Sequence, residues 1–179
     1  QPWPTRSQWI RLSLTAAGVV AGFPVLSALA MKTAPASHGG VVLGILPLAT
    51  AVAGAIIAGE RPSLGFWLCG LVGAAAVVVF ALWDGGAELH SADLLLVASV
   101  ISVAFGYAVG GDLSRTLGGW QVICWAVIAA LPYTTVIAFL TMPQEPAAVP
   151  GSSWAAFFYV AVFSQLLGFF AWNAGLVLG

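Results

Sequence analysis

Residues 37–62 read SHGGVVLGILPLATAVAGAIIAGERP, and this stretch decides the fold class. Residues 38–59, from its His-Gly-Gly opening to the residue before its Glu-Arg-Pro close, are 22 residues without an acidic or basic side chain other than His38. This is enough for a helix that crosses the hydrocarbon core of a bilayer. Small residues recur at steps of three and four and share one face of this helix: Gly40, Gly44, Pro47, Ala51, Gly54 and Ala58. A face of this kind lets another helix approach closely, which is typical of a helix inside a membrane bundle.

The composition of the whole chain also indicates a membrane protein. Of its 179 residues, 61% are hydrophobic and only 6% are charged, and the mean hydropathy is +1.03. A soluble domain normally carries about 25% charged residues. The net charge of -1 argues against nucleic acid as a partner, because a nucleic-acid-binding protein needs a basic face. Cys69 and Cys124 lie in apolar stretches, where we expect buried hydrophobic side chains rather than a disulfide or a metal site.

We predict six membrane-spanning helices, because six stretches are apolar over about 18 residues or more. They are residues 10–31, 38–59, 64–83, 92–111, 119–140 and 154–179. Lipid offers no hydrogen-bond partners to the backbone, so each stretch must be helical. The predicted fold class is therefore all-α, a polytopic membrane helical bundle.

The basic residues predict the orientation of the bundle. If the spans alternate strictly in direction, four arginines fall on one side of the membrane and Lys32 falls on the other. The four are Arg6, Arg11, Arg61 and Arg115. Because cytoplasmic loops carry the excess of Lys and Arg, we place the arginine side in the cytoplasm.

Three predicted spans contain an interior proline: Pro24, Pro47 and Pro132. Each proline removes one backbone hydrogen bond from its helix. The residues are candidate hinges of a moving transporter, and static kinks are the alternative. Glycine pairs four residues apart are candidate helix contacts: Gly18 with Gly22, Gly40 with Gly44, and Gly106 with Gly110.

Three runs carry a resemblance to a known family. Residues 22–82 end in the run AGERP at 58–62 followed by a span rich in small residues, and they resemble the end of the first EamA repeat of the drug/metabolite transporter superfamily. GYAVGGDLSRTLGGWQVICWAVIAALP at 106–132 is similar to the start of the second repeat, and GFFAWNAGLVLG at 168–179 to its third helix. The resemblance implies ten helices in two inverted five-helix repeats.

Within that scheme the chain holds six of the ten helices and lacks the first two and the last two. Residues 1–83 correspond to the last three helices of the first repeat, residues 84–91 to a periplasmic linker, and residues 92–179 to the first three helices of the second repeat. The resemblance implies a multi-pass protein of the bacterial inner membrane. It also implies export of small metabolites, such as amino acids or drug-like compounds, by alternating access. A non-transporting membrane subunit that acts in assembly or interaction is the alternative.

Polar and aromatic residues inside the spans are the candidate substrate-binding groups, because such residues usually face the bundle interior or an aqueous cavity. They are Tyr107, Gln121, Trp125, Gln165, Trp172 and Asn173. His38, at the outer end of the second span, is a candidate gate or proton-linked residue, with an interfacial cap as the alternative. Helix–helix contact is the alternative for the six substrate-binding candidates.

The expected partners are membrane lipid, a small-molecule substrate and a coupling proton, and the sequence leaves a homodimer open. Relatives often have a carboxylate where this chain has Val109, which weakens the expectation of proton coupling. Asp112 lies three residues further on, where we expect it to pair with Arg115. No catalytic, metal-binding or phosphate-binding motif is present, so we expect neither an enzyme nor a cofactor.

Overall fold

The computed structural model describes residues 3–34, 36–83, 91–143, 145, 148–168 and 171. These residues form helices and their connections. The helices are α1 (Arg6–Ala16), α2 (Phe23–Ala30), α3 (Ala36–Leu43), α4 (Leu46–Ile57), α5 (Leu64–Trp83), α6 (Ser91–Leu117), α7 (Gly119–Thr141) and α8 (Gly151–Tyr159), with π-helical segments at Ala17–Gly22 and Val160–Leu167.

Four helical stretches are long and apolar enough to cross a membrane: Arg6–Ala30, Gly39–Ile57, Ala92–Leu117 and Gly119–Thr141. They correspond to the first, second, fourth and fifth predicted spans. The third predicted span is α5, whose described apolar part is the shorter Leu64–Val79. Large apolar side chains point outwards on several helices, for example Ile56 and Phe139 at 77% and 81% exposed. An all-helical membrane bundle is thus confirmed as the fold class.

Helix α6 is the centre of the bundle. It contacts α1, the first π-helical segment, α2, α3, α4 and α7. Half of its apolar window is buried, against 28%, 17% and 6% in the other three spanning stretches. Its buried positions follow helical spacing and carry mostly small or β-branched side chains: Ala92, Leu96, Ser99, Val100, Val103, Ala104, Ala108, Val109 and Leu113. Small side chains allow neighbours to pack around most of its circumference.

Two buried clusters show that α6 runs antiparallel to the first span. Leu12 and Ala16 of α1 pack with Leu113 of α6 and with Val122 and Ala126 of α7. At the other end of the bundle, α2 meets the beginning of α6 in a cluster of Ala30, Ala34, Ala92 and Leu96. The alternation of direction that was assumed for the orientation therefore holds for these helices.

Two glycines, Gly18 and Gly106, form a close backbone contact between the first span and α6. A Cβ atom on Gly18 would lie 2.5 Å from the carbonyl oxygen of Ser102 and 2.9 Å from Cα of Gly106. A Cβ atom on Gly106 would lie 2.8 Å from Cγ2 of Val19. The backbones of the first span and α6 therefore touch directly, and the Ser102 hydroxyl donates a hydrogen bond of 3.4 Å to the Gly18 carbonyl.

The other glycines of the predicted pairs behave differently from one another. A Cβ on Gly22 would collide with the Ser102 side chain, and one on Gly110 would lie 2.9 Å from Cγ2 of Thr15. Both pairs that contain them are confirmed as helix contacts. In the third pair Gly44 meets Val77 of α5, whereas Gly40 has open space beside it. Gly40 therefore does not form the contact that its spacing predicted.

Helix α6 continues past residue 111, where the predicted span ended. The hydroxyls of Ser114 and Thr116 donate hydrogen bonds to carbonyls three residues earlier, which lets polar residues continue the helix. Gly118, at φ 91°, then ends it in a conformation that glycine adopts readily. Because α7 begins at the next residue, a single residue joins these two helices.

Two of the three interior prolines coincide with departures from regular α-helix in a span. Pro24 lies in the first turn of α2, directly after the first π-helical segment. Pro47 lies in the first turn of α4, after a turn at residues 44–45 that separates α3 from α4. Pro132 lies inside a continuous α7. Movement at these three positions stays a prediction.

Replacing Gly18 by Ala is expected to lower the free energy of unfolding by about 1–3 kcal/mol, because the new methyl group must push two backbones apart. Gly111→Ala is the matched control on α6, since a Cβ there meets nothing within 4 Å. Removing an open helical glycine should raise the free energy of unfolding by about 0.5–1 kcal/mol. Denaturant titration of the purified protein in mixed micelles measures both. Equal effects of the two substitutions would contradict the close contact.

Candidate functional site

A cavity of about 260 Å³ lies among the first span, α4, α6 and α7. The first span contributes Thr15 and Val19, and α4 with the segment after it contributes Thr50, Gly54 and Glu60. The remaining lining residues are Gly106, Tyr107, Ala108, Gly110, Gly111, Asp112 and Ser114 of α6 and Gly119, Val122 and Ile123 of α7. The cavity is thus bounded by helices from both halves of the chain.

Glycines form part of the lining of this cavity: Gly106, Gly110 and Gly111 on α6 and Gly54 on α4. Neighbouring atoms fill the space beside Gly106, Gly110 and Gly54, whereas a Cβ on Gly111 would meet nothing within 4 Å. Because α6 is held close to the first span at Gly18, the lining there is partly backbone. Val122 and Ile123 supply an apolar wall from α7.

Two interhelical ion pairs stand at one end of the cavity. Arg11 of α1 binds Asp112 of α6, and Nη2 of Arg115 lies 3.0 Å from Oε1 of Glu60 in the segment after α4. The two arginines are among those that the sequence places on the cytoplasmic side. The predicted pairing of Asp112 with Arg115 is wrong, because Asp112 binds Arg11 of α1 and Arg115 binds Glu60 in the segment after α4.

The hydroxyl groups of the lining differ in their hydrogen bonding. The Thr50 hydroxyl donates to the Leu46 carbonyl at 2.7 Å, and the Ser114 hydroxyl donates to the Gly111 carbonyl at 2.6 Å. Thr15 is 4% exposed, and its Oγ1 has no hydrogen-bond partner among the described residues. A buried polar atom without a partner lowers the free energy of unfolding by about 1–3 kcal/mol. A hydrogen bond from a ligand to the Thr15 hydroxyl would recover part of this stability.

Thr15 was not predicted from the sequence, because nothing in its neighbourhood distinguishes it from other threonines in apolar helices. Its helical spacing from Arg11 and Gly18 was the available signal, since steps of three and four put these residues on one face. Glu60 was also not among the candidate substrate-binding residues, and in the structure it lines the cavity.

Of the six candidate substrate-binding residues, Tyr107 lies in the cavity lining. Gln121 is partly buried beside Gly118, outside the lining, and its Oε1 has no hydrogen-bond partner among the described residues. Trp125 packs against Trp9 and Trp3, with ring centroids 5.5 and 5.4 Å away. Its observed environment is an aromatic cluster rather than the cavity.

The remaining candidates lie away from the cavity or outside the described residues. Gln165 is exposed on the second π-helical segment, whose main contacts are with α8. Trp172 and Asn173 lie outside the described residues, as does most of the predicted linker at 84–91. His38 belongs to α3, but its side chain is not described. Val109 is buried in the helix packing, outside the lining of the cavity.

Comparison with known proteins gives a family and two kinds of relative. The sequence pattern of the EamA-like transporter family matches residues 1–82. The uncharacterized transporter YdeK of Bacillus subtilis is 41% identical over 179 residues, which cover 100% of this chain and 62% of YdeK. No solved structure matches significantly.

Weaker similarity extends to lysophospholipid transporters named LplT. The protein of Serratia proteamaculans is 32% identical over 150 residues, 71% of this chain and 37% of that protein. The protein of one Klebsiella pneumoniae strain is 32% identical over 109 residues, 57% of this chain and 26% of that protein. This chain thus spans less than two thirds of the length of these relatives. The match to residues 1–82 and the similarity to YdeK along the whole chain confirm the predicted relationship to the EamA-like transporter family.

Proposed function

We propose that the protein containing this chain is a transporter that exports small metabolites across the bacterial cytoplasmic membrane by alternating access. The observation that carries the proposal is the cavity among the first span, α4, α6 and α7. A bundle with only a structural role would bury Tyr107 in helix contacts, whereas Tyr107 lines this cavity. The cavity therefore favours a transporter over the assembly or interaction subunit.

The arrangement of the cavity fits movement of one half against the other. Residues 1–83 supply one side and residues 92–179 supply the other, as two inverted EamA repeats would around a shared site. The turn before Pro47 interrupts the second span, whereas the π-helical segment before Pro24 changes the hydrogen bonding of the first span without breaking it. Interrupted helices near a binding site are common in secondary transporters.

Orientation and location rest on the distribution of charge and on the relatives. One end of the bundle brings together Arg11 of α1, Glu60 of the segment after α4, and Arg115 of α6. Because basic residues favour the cytoplasm, the cavity lies nearer the cytoplasmic side. The relatives are bacterial proteins, and two of the three are named as transporters of lysophospholipid. Proton coupling and a homodimer stay predictions.

A bulky residue at position 111 should block the cavity. Gly111 belongs to its lining, and a Cβ there meets nothing within 4 Å, so Gly111→Phe extends a ring into free space without a backbone clash. We expect at least about a tenfold loss of export, since a ring of this size fills much of a cavity of small-ligand dimensions. Export is measured in cells that express the full-length protein, across a panel of labelled metabolites.

Gly73→Phe is the matched control, because Gly73 is exposed on α5, has open space and lies outside the lining. It should leave export unchanged at equal abundance in the membrane. Undiminished export by the Gly111→Phe protein would contradict the role of the cavity. A full-length protein that exports no member of the panel would contradict the transporter assignment.

Thr15→Val should change stability and transport in opposite directions. Removing the unpartnered hydroxyl should raise the free energy of unfolding by about 1 kcal/mol, because its desolvation is no longer uncompensated. The same change should raise the half-saturating substrate concentration by about fivefold, because a hydrogen bond to the solute is lost. Thr134→Val is the control, since that hydroxyl already donates to the Ala130 carbonyl, outside the cavity. A gain in stability with unchanged transport would show that Thr15 does not contact the solute.

A further inference from the structure

We propose that the cavity prefers solutes that carry an ammonium group, and that Glu60 and Asp112 determine this preference. The inference extends the proposed transport function by naming a class of substrate. Its test measures binding, so it can fail while the transporter assignment stands.

Charge within the lining is all of one sign. Glu60 and Asp112 are the ionisable residues with a formal charge at pH 7 among the described lining residues, and both are carboxylates. Arg11 and Arg115 bind these carboxylates but do not themselves belong to the lining. The charged groups that a solute in the cavity meets are therefore carboxylates, each of which already has a guanidinium partner.

The two ion pairs are weak enough to exchange partners. The side chains of Arg11 and Asp112 are 34% and 31% exposed, and those of Arg115 and Glu60 are 60% and 48% exposed. Solvated ion pairs of this kind contribute little to stability. A solute ammonium can replace or share a guanidinium at small cost, because the carboxylate keeps a positive partner. A carboxylate-bearing solute finds no cationic side chain among the described lining residues.

Thr15 supplies the second, independent sign of a polar ligand. Its Oγ1 is buried, lines the cavity and lacks a hydrogen-bond partner among the described residues. A hydroxyl oxygen accepts hydrogen bonds from an ammonium group. Thr15 lies one helical turn from Arg11, and Arg11 holds Asp112, so the hydroxyl is close to the carboxylate end of the cavity.

The rest of the lining suits a compact apolar body attached to that group. Val19, Val122 and Ile123 are apolar, and the ring of Tyr107 offers a face to a cation or an aromatic group. The volume of about 260 Å³ is at the lower end for small-molecule sites. It fits a solute with one small ring or a short chain.

Three probes of similar size and different charge test the preference. They are 2-phenylethylammonium, 2-phenylethanol and 3-phenylpropanoate, each titrated into the purified full-length protein in lipid nanodiscs and followed by calorimetry. We expect the ammonium probe to bind at least tenfold more tightly than the alcohol, and 3-phenylpropanoate to bind least. Gly111→Phe should abolish this binding, which places the probe in the cavity. Ammonium binding that survives Gly111→Phe would overturn the assignment of the site.

Neutral substitutions assign the preference to the two carboxylates. Glu60→Gln and Asp112→Asn should each weaken binding of the ammonium probe by about fivefold and leave binding of the alcohol unchanged. Glu145→Gln, in the connection between α7 and α8, is the control and should change neither. Asp112→Glu keeps the carboxylate, so it should bind the ammonium probe more tightly than Asp112→Asn does. This comparison distinguishes loss of the charge from an effect on folding.

Two outcomes would overturn the inference. Equal affinity for the ammonium and the alcohol would show that the lining does not select charge, although export through the cavity could still be measured. Absence of binding by the ammonium probe, in a protein that exports a metabolite and is blocked by Gly111→Phe, would reject the ammonium class and keep the proposed function.

Discussion

The contact between Gly18 and Gly106 is the constraint on which the rest of the bundle depends. The hydrophobic effect does not drive helices together inside lipid, so association relies on close packing and on hydrogen bonds between helices. Here the backbones of the first span and α6 touch, and the Ser102 hydroxyl donates to the Gly18 carbonyl. The first span packs against one face of α6, and α4 and α7 pack against its other faces.

The glycines of α6 that allow close contact also belong to the lining of the cavity. On α6, Gly106 meets the first span, Gly110 meets Thr15, and Gly111 faces open space. Close packing and free volume therefore alternate along one short part of a helix. The charges gather where this part ends, because the polar end of α6 lies beside the beginning of α1 and the end of α4.

Much of the fold was readable from the sequence, because lipid restricts the chain to apolar helices and the arginines report their direction. Glycine spacing predicted helix contacts correctly for two of the three pairs. Gly40 has the same spacing but no described residue within 4 Å of a Cβ at that position, so spacing alone does not determine a contact. The site was harder to predict. Tyr107 was identified from its polarity, but Trp125 packs with Trp3 and Trp9, since an aromatic ring is equally suited to packing. Ion pairs across helices depend on which ends meet in space, so spacing along one helix gave the wrong partner for Asp112.

The single residue between α6 and α7 has a consequence for how displacement can spread. Gly118 is the single residue between the two helices, so the end of α6 and the beginning of α7 stay close together when either helix is displaced. That hairpin carries Asp112 and Arg115 on one arm and the apolar wall of Val122 and Ile123 on the other. A displacement of that wall would therefore also move the charged end of α6. The first span and α4 have no such short connection to this hairpin, and only packing, hydrogen bonds and the two ion pairs hold them against it.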